Sequence, residues 1–170
     1  IEESIAISQG KINVKLSNNA RIKIQKSRDA VENIVSSNDV VYGINTGFGA
    51  LSSVKVDLED LDTLQTNLIR SHACGIGENM EPEHVFIMML FRANSLAKGY
   101  SGCRVEIVEL LLTLINLRIS PVIPRIGSLG ASGDLAPLSH MALVLIGEGE
   151  CYIQEDEVWN IYETKQVFSK

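Results

Sequence analysis

The sequence is short of aromatic residues, of positive charge and of cysteine. Aromatic side chains make up 5% of its 170 positions, and 15 Lys and Arg stand against 21 Asp and Glu, a net charge of -6. An acidic chain has no electrostatic reason to bind nucleic acid or an anionic membrane. The three cysteines, Cys74, Cys103 and Cys151, form no CxxC pair and no zinc-ligand spacing, so they read as free thiols of a reducing cytoplasm. The three histidines, His72, His84 and His140, are too scattered to suggest a metal site. Long uncharged apolar runs are missing too. The most apolar stretch, 105–119, carries Glu106, Glu109 and Arg118 and reads as a largely buried helix rather than a membrane span. The first residues, Ile1-Glu2-Glu3, hold no signal-peptide pattern. The expectation is a cytoplasmic protein with no metal and with neither nucleic-acid nor membrane partners.

What is there is ordinary globular composition, 45% hydrophobic and 21% charged, at a length that suits one domain with a real core. Residues 5–16 alternate weakly through Ile5, Ile7, Ile12, Val14 and Leu16, which predicts a short strand or hairpin. Ser17 or Asn18 then caps a helix whose apolar face is Ala20, Ile24, Ser27, Val31, Ile34 and Val35, ending in the turn composition Ser36-Ser37-Asn38-Asp39. A glycine-rich loop runs from Val40 to Gly49 with Tyr42 and Phe48 in it. Asp57 caps a second helix through Leu58, Leu61, Leu64 and Leu68, broken at Arg70–Gly77 by two glycines.

Pro82 opens a helix over 83–98 that is apolar nearly all round, and a second mostly apolar helix spans 104–118, closed by Ser120-Pro121. Two such helices in succession suggest the start of a bundle. A helix over 135–146 follows with Pro137 in its first turn, and the tail reads as a hairpin around Glu155-Asp156-Glu157 and a polar helix from about Glu163. The fold class is therefore mainly α. An α-rich region with short strands, 1–80, leads into the start of a long-helix bundle, 81–150, and then a small hairpin and helix start, 151–170.

One stretch, Gly127 to Gly149, organises the chemistry: GSLGASGDLAPLSHMALVLIGEG. At its centre, Gly130-Ala131-Ser132-Gly133-Asp134 admits four readings. A nucleophile elbow, G-x-S-x-G, needs a glycine where Asp134 stands. An anion nest at the following helix start lacks the lysine of a phosphate loop. A tight turn capped by Asp134 is the plain structural reading. The last is backbone cyclisation: the Gly133 amide nitrogen attacks the Ala131 carbonyl carbon, and two waters leave, one from Ser132. Small residues at 131 and 133 leave room for ring closure, and Asp134 can accept a proton or hold the turn.

GSLGASGDLAPLSH resembles the signature of the aromatic amino acid ammonia-lyases, the family of histidine and phenylalanine ammonia-lyase. Tyr42-Gly43-Ile44-Asn45-Thr46-Gly47-Phe48-Gly49 and Asn67-Leu68-Ile69-Arg70-Ser71-His72-Ala73-Cys74-Gly75 are similar to two more of its motifs in the family's order. The stretch from Arg92 to Arg104 resembles a fourth. This resemblance implies that Ala131, Ser132 and Gly133 form a methylidene-imidazolone electrophile autocatalytically, with no external cofactor. It implies that Tyr42 is the base for the substrate's β-proton. A phenol serves as a base near neutrality only in a cationic or dipolar setting. Gly43, Gly47 and Gly49 would shape a loop that closes over substrate, with Asn45 and Thr46 shaping that loop, and helix N–H groups after the turn would stabilise negative charge. His72 matches the side-chain recognition position and points to histidine or tyrosine rather than phenylalanine. His84 and His140 are read as structural, His140 facing the bundle.

The motifs look more like the bacterial histidine enzymes, implying ammonia elimination from L-histidine to trans-urocanate. A tyrosine ammonia-lyase or aminomutase is the alternative. Family members are several times longer and build their sites where subunits of a homotetramer meet. The resemblance thus also allows a fragment that only folds and associates.

Overall fold

The computed structural model describes residues 1–37 and 39–169, and of Leu58 the backbone alone. Asn38, in the expected turn, lies outside the described residues. The first element is a helix, α1 (Glu2–Ser8), not the strand that the alternating isoleucines predict. Glu2 and Glu3 in its first turn complement the helix dipole. Its C-terminal end is held by a distant residue: the Arg118 guanidinium donates to the Ser8 carbonyl at 2.6 Å while lying over the Phe86 ring at 4.1 Å. Residues further along have no strand partner among the described residues either. The Asn116 side-chain amide takes that place, accepting from Val14 N–H at 2.9 Å and donating to Val14 O at 2.8 Å. Local alternation carries no trace of either contact, both more than 100 residues away in sequence.

Helix α2 (Asn18–Ser36) starts where Ser17 caps it, its hydroxyl accepting from the Ala20 N–H at 3.2 Å. All six positions of the expected apolar face are buried or partly buried, Ile24 completely. Helix α3 (Leu58–His72) has Asp57 at its N-cap position, but the carboxylate makes no capping bond. Acidic Glu59 and Asp60 in its first turn and Arg70 and His72 in its last suit the dipole instead.

Helices α4 (Pro82–Leu96) and α5 (Val105–Asn116) pack together at the centre. Val85, Phe86 and Met89 of α4 meet Val108, Leu111 and Ile115 of α5, joined by Ile24, Ile123, Met141 and Val144. Among these, Met141 and Val144 belong to α6 (Leu135–Leu145).

The strands are short. Ser120-Pro121 does not close a helix but lies in β2 (Ile119–Pro121), an edge position where proline's missing N–H is tolerated. A ribbon joins β1 (Ile76–Asn79) to β3 (Pro124–Ile126). The expected tail hairpin is β4 (Glu150–Glu155) and β5 (Val158–Glu163), and β2 adds to β4 to make an antiparallel three-stranded sheet. Asp156 and Glu157, both at positive φ, form the two-residue turn such a hairpin demands. The last helix is α7 (Thr164–Phe168). Among the described residues no helix is long and apolar enough to cross a membrane.

Candidate active site

The tyrosine loop is closed on itself by buried polar side chains. Asn45 accepts from Val41 N–H at 2.9 Å and donates to Asp39 O at 2.8 Å. Thr46 accepts from Gly43 N–H at 3.2 Å and donates to Gly47 O at 2.9 Å. Both residues are buried, so the loop-shaping role expected of them is met by satisfied hydrogen bonds. At Gly47 the requirement is space: an added Cβ would lie 2.6 Å from Leu51 Cβ and 2.9 Å from Leu51 O. Gly43 and Gly49 take left-handed φ of +77° and +56°. The result presents Tyr42 at the surface, 64% exposed, its ring set edge-on to Phe48 at 6.0 Å.

His72 is the last residue of α3. Its Nδ1 lies 2.9 Å from the Leu68 carbonyl oxygen and 3.0 Å from Ser71 Oγ. A carbonyl can only accept, so the ring proton is assigned to Nδ1, and Nε2 is left as an acceptor with no partner among the described residues. The helix end is tied down by a two-point ion pair. Arg70 Nε donates to Glu148 at 3.0 Å, and Arg70 Nη2 donates to the second carboxylate oxygen. Hydrogen bonding from Arg70 holds the Glu148 carboxyl below the usual carboxylate range.

The turn through Ala131, Ser132 and Gly133 is exposed and precedes α6 directly. Gly133 sits at φ +71°, with nothing within 4 Å of where a Cβ would be. Ser132 Oγ donates to Asp134 Oδ1 at 2.5 Å. Gly133 and Asp134 also border a shallow recess against Met88, Phe91, Arg92 and Ser95 of α4. These features fit a ring made from the turn's own backbone: a glycine with open space where a Cβ would stand, and a hydroxyl already bonded to a carboxylate.

Asp134 occupies the N-cap position of α6 without capping it. The cap is Ser128, whose hydroxyl accepts from the Ala136 N–H at 3.0 Å. That corrects the expectation of several free N–H donors after the turn. Pro137 has none and Ala136 is taken, so of the first three helical positions Leu135 alone has an N–H with no partner among the described residues. Ser128 stood in the sequence as one of several Ser and Gly residues, and only folding the loop back over the helix start reveals it. His140 turns toward the ribbon, its Nε2 accepting from Gly75 N–H at 3.0 Å, while His84 is exposed on α4. Among the described residues no hydrogen bond joins the Tyr42 loop to the Ala131–Gly133 turn, while α3, which ends in His72, packs on α6, which the turn precedes.

The whole chain, residues 1–170, matches the family described as aromatic amino acid lyase. It belongs to the aromatic amino acid lyases. Among relatives of this lyase, a histidine ammonia-lyase of a Geobacillus species is 57% identical over 135 residues, covering 79% of this chain and 27% of its own. The histidine ammonia-lyase of Staphylococcus saprophyticus is 50% identical over 154 residues, 91% of this chain and 31% of its own. Among solved structures, a ligand-bound tyrosine aminomutase mutant superposes with a TM-score of 0.88 at 39% identity, covering 99% of this lyase chain and 31% of that one. The chain thus spans under a third of the length of these relatives.

Proposed function

We propose that this chain is part of a histidine ammonia-lyase, an enzyme that eliminates ammonia from L-histidine to give trans-urocanate. The observation that carries the reading is the 57% identity to a histidine ammonia-lyase across 79% of the chain. The reaction has two obstacles: an α-ammonium is a poor leaving group and the β-hydrogen is barely acidic. A methylidene-imidazolone formed from Ala131, Ser132 and Gly133 supplies an electrophile for the first. Ring closure uses only groups of the turn. The Gly133 nitrogen adds to the Ala131 carbonyl carbon, and that carbonyl oxygen leaves as water. The Ser132 hydroxyl leaves with its Cα hydrogen as the second. Asp134 passes protons in these steps, a role its hydrogen bond from Ser132 Oγ supports.

Tyr42 removes the β-proton at the mouth of its loop, which Gly43, Gly47 and Gly49 allow to close over substrate. The bare Nε2 of His72 accepts the imidazole N–H of the substrate, and the Leu135 N–H faces the charge that develops at the turn. The active unit is a cytoplasmic homotetramer, with region 1–80 bringing the tyrosine and 81–150 the turn. Exposed Ile76, Ile126, Leu129 and Leu135 beside the site are surface for other parts of that assembly to cover.

A second reading, tyrosine aminomutase or tyrosine ammonia-lyase, is favoured by the TM-score of 0.88 to an aminomutase and by His72, which can equally accept a phenol O–H. Incubating the full-length protein in parallel with histidine, tyrosine and phenylalanine, and following the unsaturated acids, separates the two. Absence of urocanate removes the first reading. Ser132→Ala is expected to abolish ring formation, read as loss of a two-water mass deficit in the peptide spanning residues 126–147. Tyr42→Phe is expected to keep that deficit and lose elimination; an unchanged rate takes Tyr42 out of the mechanism.

A further inference from the structure

The two halves of the proposed site stand on different elements, His72 on α3 and the electrophile turn at the start of α6. The link between them is the short segment 73–75. Helix α3 ends as Ala73 N–H donates to Ile69 O and Cys74 N–H to His72 O. The next donor, Gly75 N–H, leaves α3 and goes to His140 Nε2 at 3.0 Å. His140 lies within α6, on the same rigid rod that the Ala131–Gly133 turn precedes.

Gly75 has no freedom at this point. A Cβ there would meet His140 Nε2 at 2.9 Å and Pro124 Cβ at 3.0 Å. From the other side, a Cβ on Gly127 would lie 2.8 Å from Gly75 Cα and 3.0 Å from Ala136 Cβ. These are contacts of shape alone. Two more polar links among the described residues join this end of α3 to the α6 region: Cys74 Sγ donates weakly to Gly127 O at 3.9 Å, and Arg70 pairs with Glu148, part exposed and at the far end of α6 from the turn. Of the two contacts near the turn, the bond to His140 is the shorter and the stronger, a thiol being a weak donor.

We propose that His140 is a positioning residue: by accepting the Gly75 N–H it sets the spacing between the His72 imidazole and the Ala131–Gly133 turn. To accept at Nε2 the ring must be neutral with its proton on Nδ1. An apolar residue at 140 leaves the Gly75 N–H without an acceptor in a half-buried site. The segment would then shift toward water and take His72, three residues back, with it. The proposal rests on the reading of His72 as the substrate-recognising residue.

The test compares the full-length protein with His140→Leu and His140→Gln, whose longer amide can still present an oxygen to Gly75. Three quantities are read: amide hydrogen exchange in a peptide covering Gly75, the two-water deficit of the 126–147 peptide, and KM and kcat for L-histidine. In His140→Leu, exchange at Gly75 is expected to accelerate and KM to rise about tenfold or more, with the deficit intact. In His140→Gln both are expected to return most of the way. An unchanged KM in His140→Leu, or equal impairment of the two variants with Gly75 still protected, overturns the proposal. If His140→Leu does not fold, His140→Asn, too short to reach Gly75, takes its place with the same expectations. Wild-type protein with neither mass deficit nor urocanate refutes the proposed function instead, and the exchange comparison still decides whether His140 holds Gly75.

Discussion

At the scale of the residue, His72 and His140 use their rings in opposite senses. His72 donates through Nδ1 and leaves Nε2 with no partner among the described residues, whereas His140 spends Nε2 on a backbone donor. Burial pushes the His140 imidazole below its ordinary pKa. The native state then binds fewer protons there than the unfolded chain, whose histidines titrate at about 6.5. The stabilisation is complete above that value and is lost as pH falls through the lower, folded one. The thermal midpoint should accordingly drop on acidification from pH 7 toward 5, with a component missing in His140→Gln; identical pH profiles for the two proteins would show that His140 stays out of the titration. Asp134 and Ser128 make a related point. The carboxylate at the helix start is engaged with Ser132, so capping passes to a serine six residues earlier.

At the scale of the element, local chemistry placed most helices. Ser17 before α2, Pro82 at the first position of α4 and Pro137 in the first turn of α6 each suit the backbone requirement of a helix start, and each helix begins there. The errors share one cause. The region 5–16 and the dipeptide Ser120-Pro121 took structures dictated by partners far along the chain: Arg118 and Asn116 for the first, strand β4 for the second. Ser128 supplies a prediction at this scale. Ser128→Ala removes the α6 cap and should cost about 1 kcal/mol of stability, measured by chemical denaturation. Asp57→Ala, at a cap position whose side chain makes no capping bond, should cost distinctly less.

At the scale of the whole molecule, the core is one cluster that collects residues from α2, α4, α5 and α6. Phe86 is its largest fully buried side chain and also the floor under the Arg118 guanidinium, with Trp159 6.0 Å away. Phe86→Ala should therefore cost about 3–5 kcal/mol, a large share of a typical domain's stability. Phe91→Ala, exposed on the same helix, should change the denaturation midpoint little. On the proposed function, the purified 170-residue chain should show weak or absent urocanate formation and leave Ser132 unmodified, because the proposed ring closure depends on strain imposed by the fold of the whole protein. Measurable turnover, or a two-water deficit in the isolated chain, would contradict this.

What the amino-acid sequence determined alone is whatever is encoded by neighbours: helix starts through capping and proline, apolar faces through periodicity, and membership of the aromatic amino acid lyases through contiguous motifs around Tyr42, His72 and Ala131-Ser132-Gly133. What only the tertiary structure decided is how groups distant in sequence satisfy one another: Arg118 on Ser8, β2 on β4, Ser128 over α6, and His140 on Gly75. The physical reason is that a buried donor or acceptor must find a partner, and no local pattern records which distant residue the fold delivers to it.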